Sequence, residues 1–185
     1  VLLLLWSFSN CIGQGWERTL DAVLPGEQAH HIVQTADGGY LLAGSSSHTN
    51  FGDKQLLYVK VDARGEEQWR QNYSLFGREQ IIDCKATPDG GYIATGVVRD
   101  IGGSLGNTFA NAFLQKVDGL GQQEWIKLFY NTNMSGGYAV TNCIDSGFLM
   151  VGAISDNSND IWLVKTNALG DTLWTKSYND PFAEA

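Results

Sequence analysis

Proline is rare in this chain, at 3 residues, and charged residues make up only 17% of it. A chain with so little charge, 22 Gly and 11% aromatics is not a disordered one; it suits many short strands joined by tight turns. Basic residues are in deficit, 12 Lys and Arg against 20 Asp and Glu, for a net charge of -8. That balance, with no run of like charges, argues against a nucleic-acid partner, because phosphate contacts need clustered cations. Cysteine numbers 3, too few for a disulfide framework or a zinc cluster. Histidine also numbers 3, at His30, His31 and His48, too confined for a Ser-His-Asp arrangement to be argued. No apolar run is long enough to span a bilayer. No segment holds a helical period over about ten residues. What is present is 185 residues, enough for one sizeable core, and six Trp, four of them in a regular series.

The most apolar stretch is the start, Val1-Leu-Leu-Leu-Leu-Trp-Ser-Phe-Ser-Asn-Cys-Ile-Gly-Gln14, without Met or a basic leader. It is expected to be the core of a secretory signal whose front is missing, over residues 1–14, with cleavage near Gly13–Gln14. A buried first strand is the alternative. Cys11 admits lipidation, but Phe8 and Asn10 are poor small-residue neighbours for such a site. Cys84 and Cys143 stand at different repeat positions, so they read as two separate thiols, with a disulfide as the alternative in an exported protein.

One unit recurs. Ala36-Asp-Gly-Gly-Tyr-Leu-Leu-Ala-Gly44 returns as Pro88-Asp-Gly-Gly-Tyr-Ile-Ala-Thr-Gly96 and, altered, as Ile144-Asp-Ser-Gly-Phe-Leu-Met-Val-Gly152. Trp16, Trp69, Trp125 and Trp174 follow at spacings of 53, 56 and 49 residues. Lys60-Val-Asp-Ala-Arg-Gly65 recurs as Lys116-Val-Asp-Gly-Leu-Gly121 and Lys165-Thr-Asn-Ala-Leu-Gly170. Within the middle copy the pattern predicts strands over Glu67–Ser74, Gln80–Thr87, Tyr92–Val98 and Ala112–Asp118. Glycines of the Asp37-Gly38-Gly39 and Asp89-Gly90-Gly91 turns supply the positive φ that a short hairpin needs. Four antiparallel strands per unit of about fifty residues predict an all-β fold of β-propeller blades. The blades are expected at 15–68, 69–124 and 125–173, with a truncated fourth beginning at 174–185. Propellers close with four to eight blades, so the count implies a partial ring and a fragment of a longer chain. The repeated Trp is expected between neighbouring blades, where one large ring fills a wedge.

Ala29-His-His-Ile32, Thr35-Ala-Asp37-Gly-Gly-Tyr40 and the stretch from Lys60-Val-Asp62-Ala-Arg-Gly65 to Trp69 carry a resemblance. They resemble the propeller repeats of exported Bacteroidetes proteins, over about residues 16–178. The resemblance implies a secreted or surface protein, often ending in a type IX secretion sorting domain. Asp145-Ser-Gly147 and Asn167 depart from the pattern and put the third turn's geometry in question. The Asp-x-x-Gly-x-x-x-Trp string is also similar to the Trp-docking repeat of quinoprotein-like propellers. Enzymes of that kind need Ca2+ and a base near the axis, and no constellation here supplies both.

His30 and His31 are adjacent, so a regular strand points them to opposite faces and away from a shared metal. Asp156-Asn-Ser-Asn-Asp160 alternates oxygen ligands as Ca2+ loops do, but lacks their Gly and terminal Glu; a polar loop is the plainer reading. No cofactor is therefore assigned, with Ca2+ the weak alternative. Repeat length varies mainly in three loops, Ser45–Asp53, Arg99–Asn111 and Ser155–Asp160. Variable insertions in repeat proteins gather on one face, and that face often binds. The ligand face is accordingly expected at Phe51, Asp53, Arg99, Asp100, Asn107, Phe109, Asp156, Asn159 and Asp160. The leading functional expectation is a non-enzymatic, extracytoplasmic binding or scaffold module for a glycan or a protein. The alternatives are a fragment of a quinoprotein-like or carbohydrate-active enzyme whose catalytic residues lie elsewhere, and a structural spacer.

Overall fold

The computed structural model describes residues 16–20, 26–47, 54–75, 77–100, 110–130, 134–155 and 159–178, with the side chains of Asp100 and Asn159 outside that set. The described residues form strands and turns and no helix. The first sheet runs β1 (Gln28–Gln34), β2 (Tyr40–Ser47), β3 (Lys54–Val61) and β4 (Glu67–Tyr73). The second runs β5 (Gly77–Ala86), β6 (Tyr92–Asp100), β7 (Ala110–Val117) and β8 (Gln123–Phe129). The third runs β9 (Met134–Asn142), β10 (Phe148–Ser155), β11 (Asn159–Thr166) and β12 (Thr172–Tyr178). Each is an antiparallel meander. A single parallel bridge, Lys54 to Arg78, links the first sheet to the second.

Sheets and sequence repeats are out of phase by one strand. The Trp69 strand pairs with β3, so it closes the first sheet, although the repeat boundary at 68/69 assigns it to the second unit. Likewise Thr172–Tyr178 closes the third sheet against β11 and does not open a fourth. The reason is local. Asp62 to Glu66 is a tight turn, with Asp62 N–H donating to Glu66 O at 2.9 Å and Gly65 N–H to Asp62 O at 3.0 Å. Strands joined so closely must lie side by side.

The second sheet is buried on both faces, which explains the unbroken burial of β7. One face, with Tyr92, Ala94 and Phe113, packs on Leu41, Leu56 and Tyr58 of the first sheet. The other, with Ile93, Ala112 and Leu114, packs on Phe148, Met150 and Trp162 of the third. Alternate residues of one strand thus serve two cores, as the two-residue period of a strand dictates. Tyr58 Oη donates to Gln115 Oε1 at 2.8 Å across the first interface, satisfying both buried groups.

The repeated Trp ties each sheet to the next. A Cβ on Gly121, in the β7–β8 turn, would lie 2.6 Å from the Trp69 ring, and one on Gly170 would lie 2.7 Å from Trp125. Trp16 sits the same way over Gly65 and donates its indole N–H to Ala63 O at 3.0 Å. Trp174 has no such neighbour among the described residues and is 44% exposed. The outer face of β12 is solvent-facing throughout, with Leu173 and Tyr178 uncovered beside it.

Candidate functional site

The three sheets present two ends. One carries the short turns, β1–β2, β5–β6 and β9–β10 together with β3–β4, β7–β8 and β11–β12. There a Lys–Asp clip is built three times. Lys60 Nζ lies 2.8 Å from Asp37 Oδ2, Lys116 Nζ 3.0 Å from Asp89 Oδ2, and Lys165 Nζ 2.9 Å from Asp145 Oδ1. Each ammonium is buried and also reaches the backbone carbonyl of the following residue. In each turn the carboxylate also accepts the N–H of the second Gly: Gly39, Gly91 or Gly147. A Cβ at Gly91 would come within 2.4 Å of Val117 O, so this position is held to glycine by close approach.

These contacts set the charge state. The Lys60 hydrogen bond, then those of Thr35 and the Gly39 N–H, hold Asp37 far below the usual carboxylate range. For Asp89, desolvation is the largest effect and opposes ionisation. The combined bonds from Thr87, Gly91 and Lys116 outweigh it and bring the group down to about 2. Asp145 is lowered by Lys165 and the Gly147 N–H. In the third turn Cys143 replaces the threonine, and Ser146 takes φ 63° where Gly38 and Gly90 take 82° and 87°. The altered turn therefore keeps the shape of the others. Asn167 also keeps the part played by Asp62 and Asp118: its Oδ1 accepts the N–H groups of Leu169 and Asp171, both at 2.9 Å. One carbonyl oxygen suffices for that turn, so the loss of charge is tolerated. The Lys and Asp side chains of the three clips are thus used on one another.

The other end carries the variable loops. Of the residues expected there, Phe51, Asp53, Asn107, Phe109 and Asp156 lie outside the described residues, as do the side chains of Asp100 and Asn159. Asp160 stands on β11 and is only 5% exposed, so it is core-facing rather than presented to a ligand. Arg99, at the end of β6, is the one expected residue that lines a cavity. That cavity measures about 560 Å³ and draws its walls from all three sheets. Lys54 comes from the first, Arg78, Glu79, Gln80 and Arg99 from the second, and Ser135 and Tyr138 from the third.

Backbone irregularities shape this end. The first strand of each sheet, β1, β5 and β9, carries a β-bulge, at His30, Ile82 and Tyr138. Opposite each stands a glycine whose Cβ would meet a backbone oxygen at 1.9 Å: Gly44 on Gln28, Gly96 on Gln80, Gly152 on Gly136. A bulge re-aims the residue beside it, and Tyr138, 55% exposed, lies along the cavity wall. The two histidines at the first bulge have different surroundings: His31 Nε2 lies 3.2 Å from Asp83 Oδ1, while His30 is exposed. Asp83 Oδ2 accepts the Val140 N–H at 2.9 Å, so this one carboxylate joins β1, β5 and β9. That is a structural clasp, not a metal site; among the described residues no three His, Cys, Asp or Glu side chains gather to hold a metal.

Lys54, Arg78, Gln80, Ser135 and the glycine pair Gly136–Gly137 carried no signal as single residues. Lys54 and Arg78 each sit where a strand meets a connection, a position worth inspecting in a repeat protein. Cys84 is a buried thiol pushed up to about 12 by desolvation, hence unreactive, and Cys143 is a second free thiol.

No protein-family model matches the chain, and no curated protein matches it in sequence. Among solved structures, a protein of unknown function from Bacteroides caccae matches with a TM-score of 0.51 at 13% identity. The match covers 89% of this chain and 50% of that one, so the chain spans about half the length of its structural neighbour. At that identity the likeness concerns the fold alone.

Proposed function

We propose that the three sheets are consecutive blades of a larger β-propeller, and that the chain is a non-catalytic, extracytoplasmic binding module whose ligand enters at the loop end. The observation that carries the binding reading is the cavity of about 560 Å³, because residues of all three sheets converge on it. Its size falls within the roughly 300–1,000 Å³ of small-molecule sites. The propeller reading is supported by the regular docking of one sheet's Trp on the next sheet's turn glycine, and by the uncovered outer faces at Ile32 and β12. It is supported too by a longer structural neighbour. Export is supported by the resemblance of the repeats to exported Bacteroidetes proteins. Non-catalytic action accords with the spending of carboxylates and lysines on clips.

The test is ligand-observed and amide-shift NMR against a panel of glycans and peptides. Shifts centred on Gln80, Val97 and Ser135 support the reading. Shifts centred on the Asp37, Asp89 and Asp145 turns place the site at the wrong end and overturn it. The ring is tested by sequencing the gene outward in both directions: more Trp and Asp-Gly-Gly-Tyr repeats uphold it, and a stop after Ala185 with a monomer in solution refutes it.

A further inference from the structure

Each junction between sheets is made by one strand pattern: a Trp, a polar side chain two residues on, and a large apolar one two residues beyond that. β4 brings Trp69, Gln71 and Tyr73, and β8 brings Trp125, Lys127 and Phe129. The two-residue period of a strand sends all three to one face. That face meets the turn between the third and fourth strands of the next sheet. A Cβ on Gly121 would lie 2.9 Å from Gln71 Cγ, and one on Gly170 would lie 2.9 Å from Lys127 Cγ. Tyr73 Oη donates to Gly121 O, and the Phe129 ring stands edge to face with Trp162 at 6.1 Å. The polar middle residue matches the residue that follows the turn glycine. Lys127 Nζ lies 2.9 Å from Asp171 Oδ1. Arg18, two residues after Trp16, pairs with Glu66 in the same way. Where the middle residue is the neutral Gln71, the residue after Gly121 is the neutral Gln122. An exposed pair of this kind contributes little stability, but like charges brought together are penalised, so the match selects which sheet follows which.

β12 carries the pattern once more, as Trp174, Lys176 and Tyr178, and no described residue covers it. Tyr178 is 52% exposed where its counterpart Phe129 is 9% exposed, and Ile161, paired with it on β11, is 57% exposed. Lys176 is exposed and forms no ion pair among the described residues. We infer that this face seats a further sheet of the same repeat, supplied by the same polypeptide, whose turn glycine is followed by Asp or Glu to meet Lys176. Continuity carries the inference, since the face extends an interface already made twice, and its cation selects an anion opposite. A second copy of the chain is the poorer occupant. In each copy the Gly65–Glu66 and Gly170–Asp171 turns are already taken by Trp16 with Arg18 and by Trp125 with Lys127. The occupant rests on the propeller reading; the charge match at the existing junctions does not.

Charge reversal tests the match within the chain. At low salt Lys127→Glu and Asp171→Lys each lower the urea midpoint, and the double variant loses less than the two together. The coupling is about two- to fivefold in the unfolding equilibrium constant, the range of an exposed pair, and fades as salt rises. Losses that simply add overturn the match. The occupant is tested in the gene and in the full-length protein. The first turn of this repeat encoded beyond residue 185 carries Asp or Glu after its glycine. Lys176→Glu lowers the melting midpoint of the full-length protein and leaves that of the 185-residue chain unchanged. A neutral or basic residue after that glycine overturns the assignment and spares the propeller reading. The absence of any further repeat overturns both. Sedimentation of the 185-residue chain as a dimer that Lys176→Glu dissociates gives the face to a second copy and overturns the assignment too.

Discussion

The turn end and the loop end of the same strands are built by opposite rules. At the turn end, three copies of one clip consume every charge they bring: Lys60 on Asp37, Lys116 on Asp89, Lys165 on Asp145. At the loop end, Lys54 and Arg99 form no ion pair among the described residues and stand on the same cavity as Arg78. The first end repeats one contact; the second differs from sheet to sheet. Satisfied polar groups hold a fold together, and the walls of a cavity are where a ligand would be met. If this contrast is right, mutations at the turn end act on stability, and those at the cavity rim act on binding.

The largest effect is expected from Gly91→Ala. The added Cβ would meet Val117 O at 2.4 Å and Lys116 Nζ at 2.5 Å, and the carbonyl belongs to a paired strand that cannot give way. A loss of about 3 kcal/mol or more in urea unfolding is expected, in the class of overpacking in a closed site. Gly90→Ala beside it meets nothing within 4 Å and costs only the strain of φ 87°, about 1–2 kcal/mol. Equal costs at the two glycines would break the claim that close approach governs the clip.

Next comes acid. Asp89 is brought down to about 2 in the fold, whereas a free aspartate titrates at 3.8. A depressed carboxylate contributes stability that is present above its unfolded value and lost as pH falls through the folded one. The window here is therefore about pH 4 down to pH 2. Asp89 is more than half exposed, so solvent screening keeps the effect near 1 kcal/mol or below. Asp89→Asn should then destabilise the protein at pH 7, and the gap to wild type should narrow as pH falls from about 4 to 2. A gap as large at pH 2 as at pH 7 would mean that hydrogen bonding, not charge, does the holding.

The turn end was readable in the sequence because its causes are local. Asp37, Gly38 and Gly39 lie within one turn, and Lys60 meets them one hairpin later, so a repeated string reveals the repeated contact. The strand positions were readable for the same reason. The phase of the sheets was harder, since Trp69 marks the repeat equally well from either side; the tight turn at Asp62–Glu66 is what binds it to the strand before it. The cavity was largely illegible. Lys54 and Arg78 meet only through the one parallel bridge between sheets, and Tyr138 reaches the wall through a bulge that period-two patterning does not announce. Arg99 came within reach because loop position, rather than residue type, pointed to it. Asp160 misled for that same reason: it borders a variable loop, yet strand pairing buries it.

A smaller effect separates the third clip from the first two. Ser146 takes φ 63° where its counterparts are glycines. A left-handed conformation costs an L-residue roughly 1–2 kcal/mol, and the greater freedom of unfolded glycine returns about 0.5–1 kcal/mol of that. Ser146→Gly is thus expected to stabilise by about 0.5 kcal/mol, read as a small rise in the urea midpoint. A loss on this substitution would show that the serine side chain itself supports the turn.

The smallest effect on stability tests the contrast hardest. Arg99 is exposed at the cavity rim and forms no ion pair among the described residues. Removing its charge should therefore leave stability within about 0.5 kcal/mol, as surface substitutions do. The sign is more telling than the size. If Lys54, Arg78 and Arg99 repel one another, Arg99→Gln stabilises at low salt, and the gain fades as ionic strength shortens the screening length to about 8 Å. A clip residue behaves in the opposite sense, since salt weakens an attraction there. A salt-independent loss of stability in Arg99→Gln would make the arginine a structural residue like Lys116 and erase the distinction between the two ends. A salt-dependent gain would mean that the fold tolerates a local repulsion it could readily have avoided, which is the stability–function trade expected where a site is kept for a ligand.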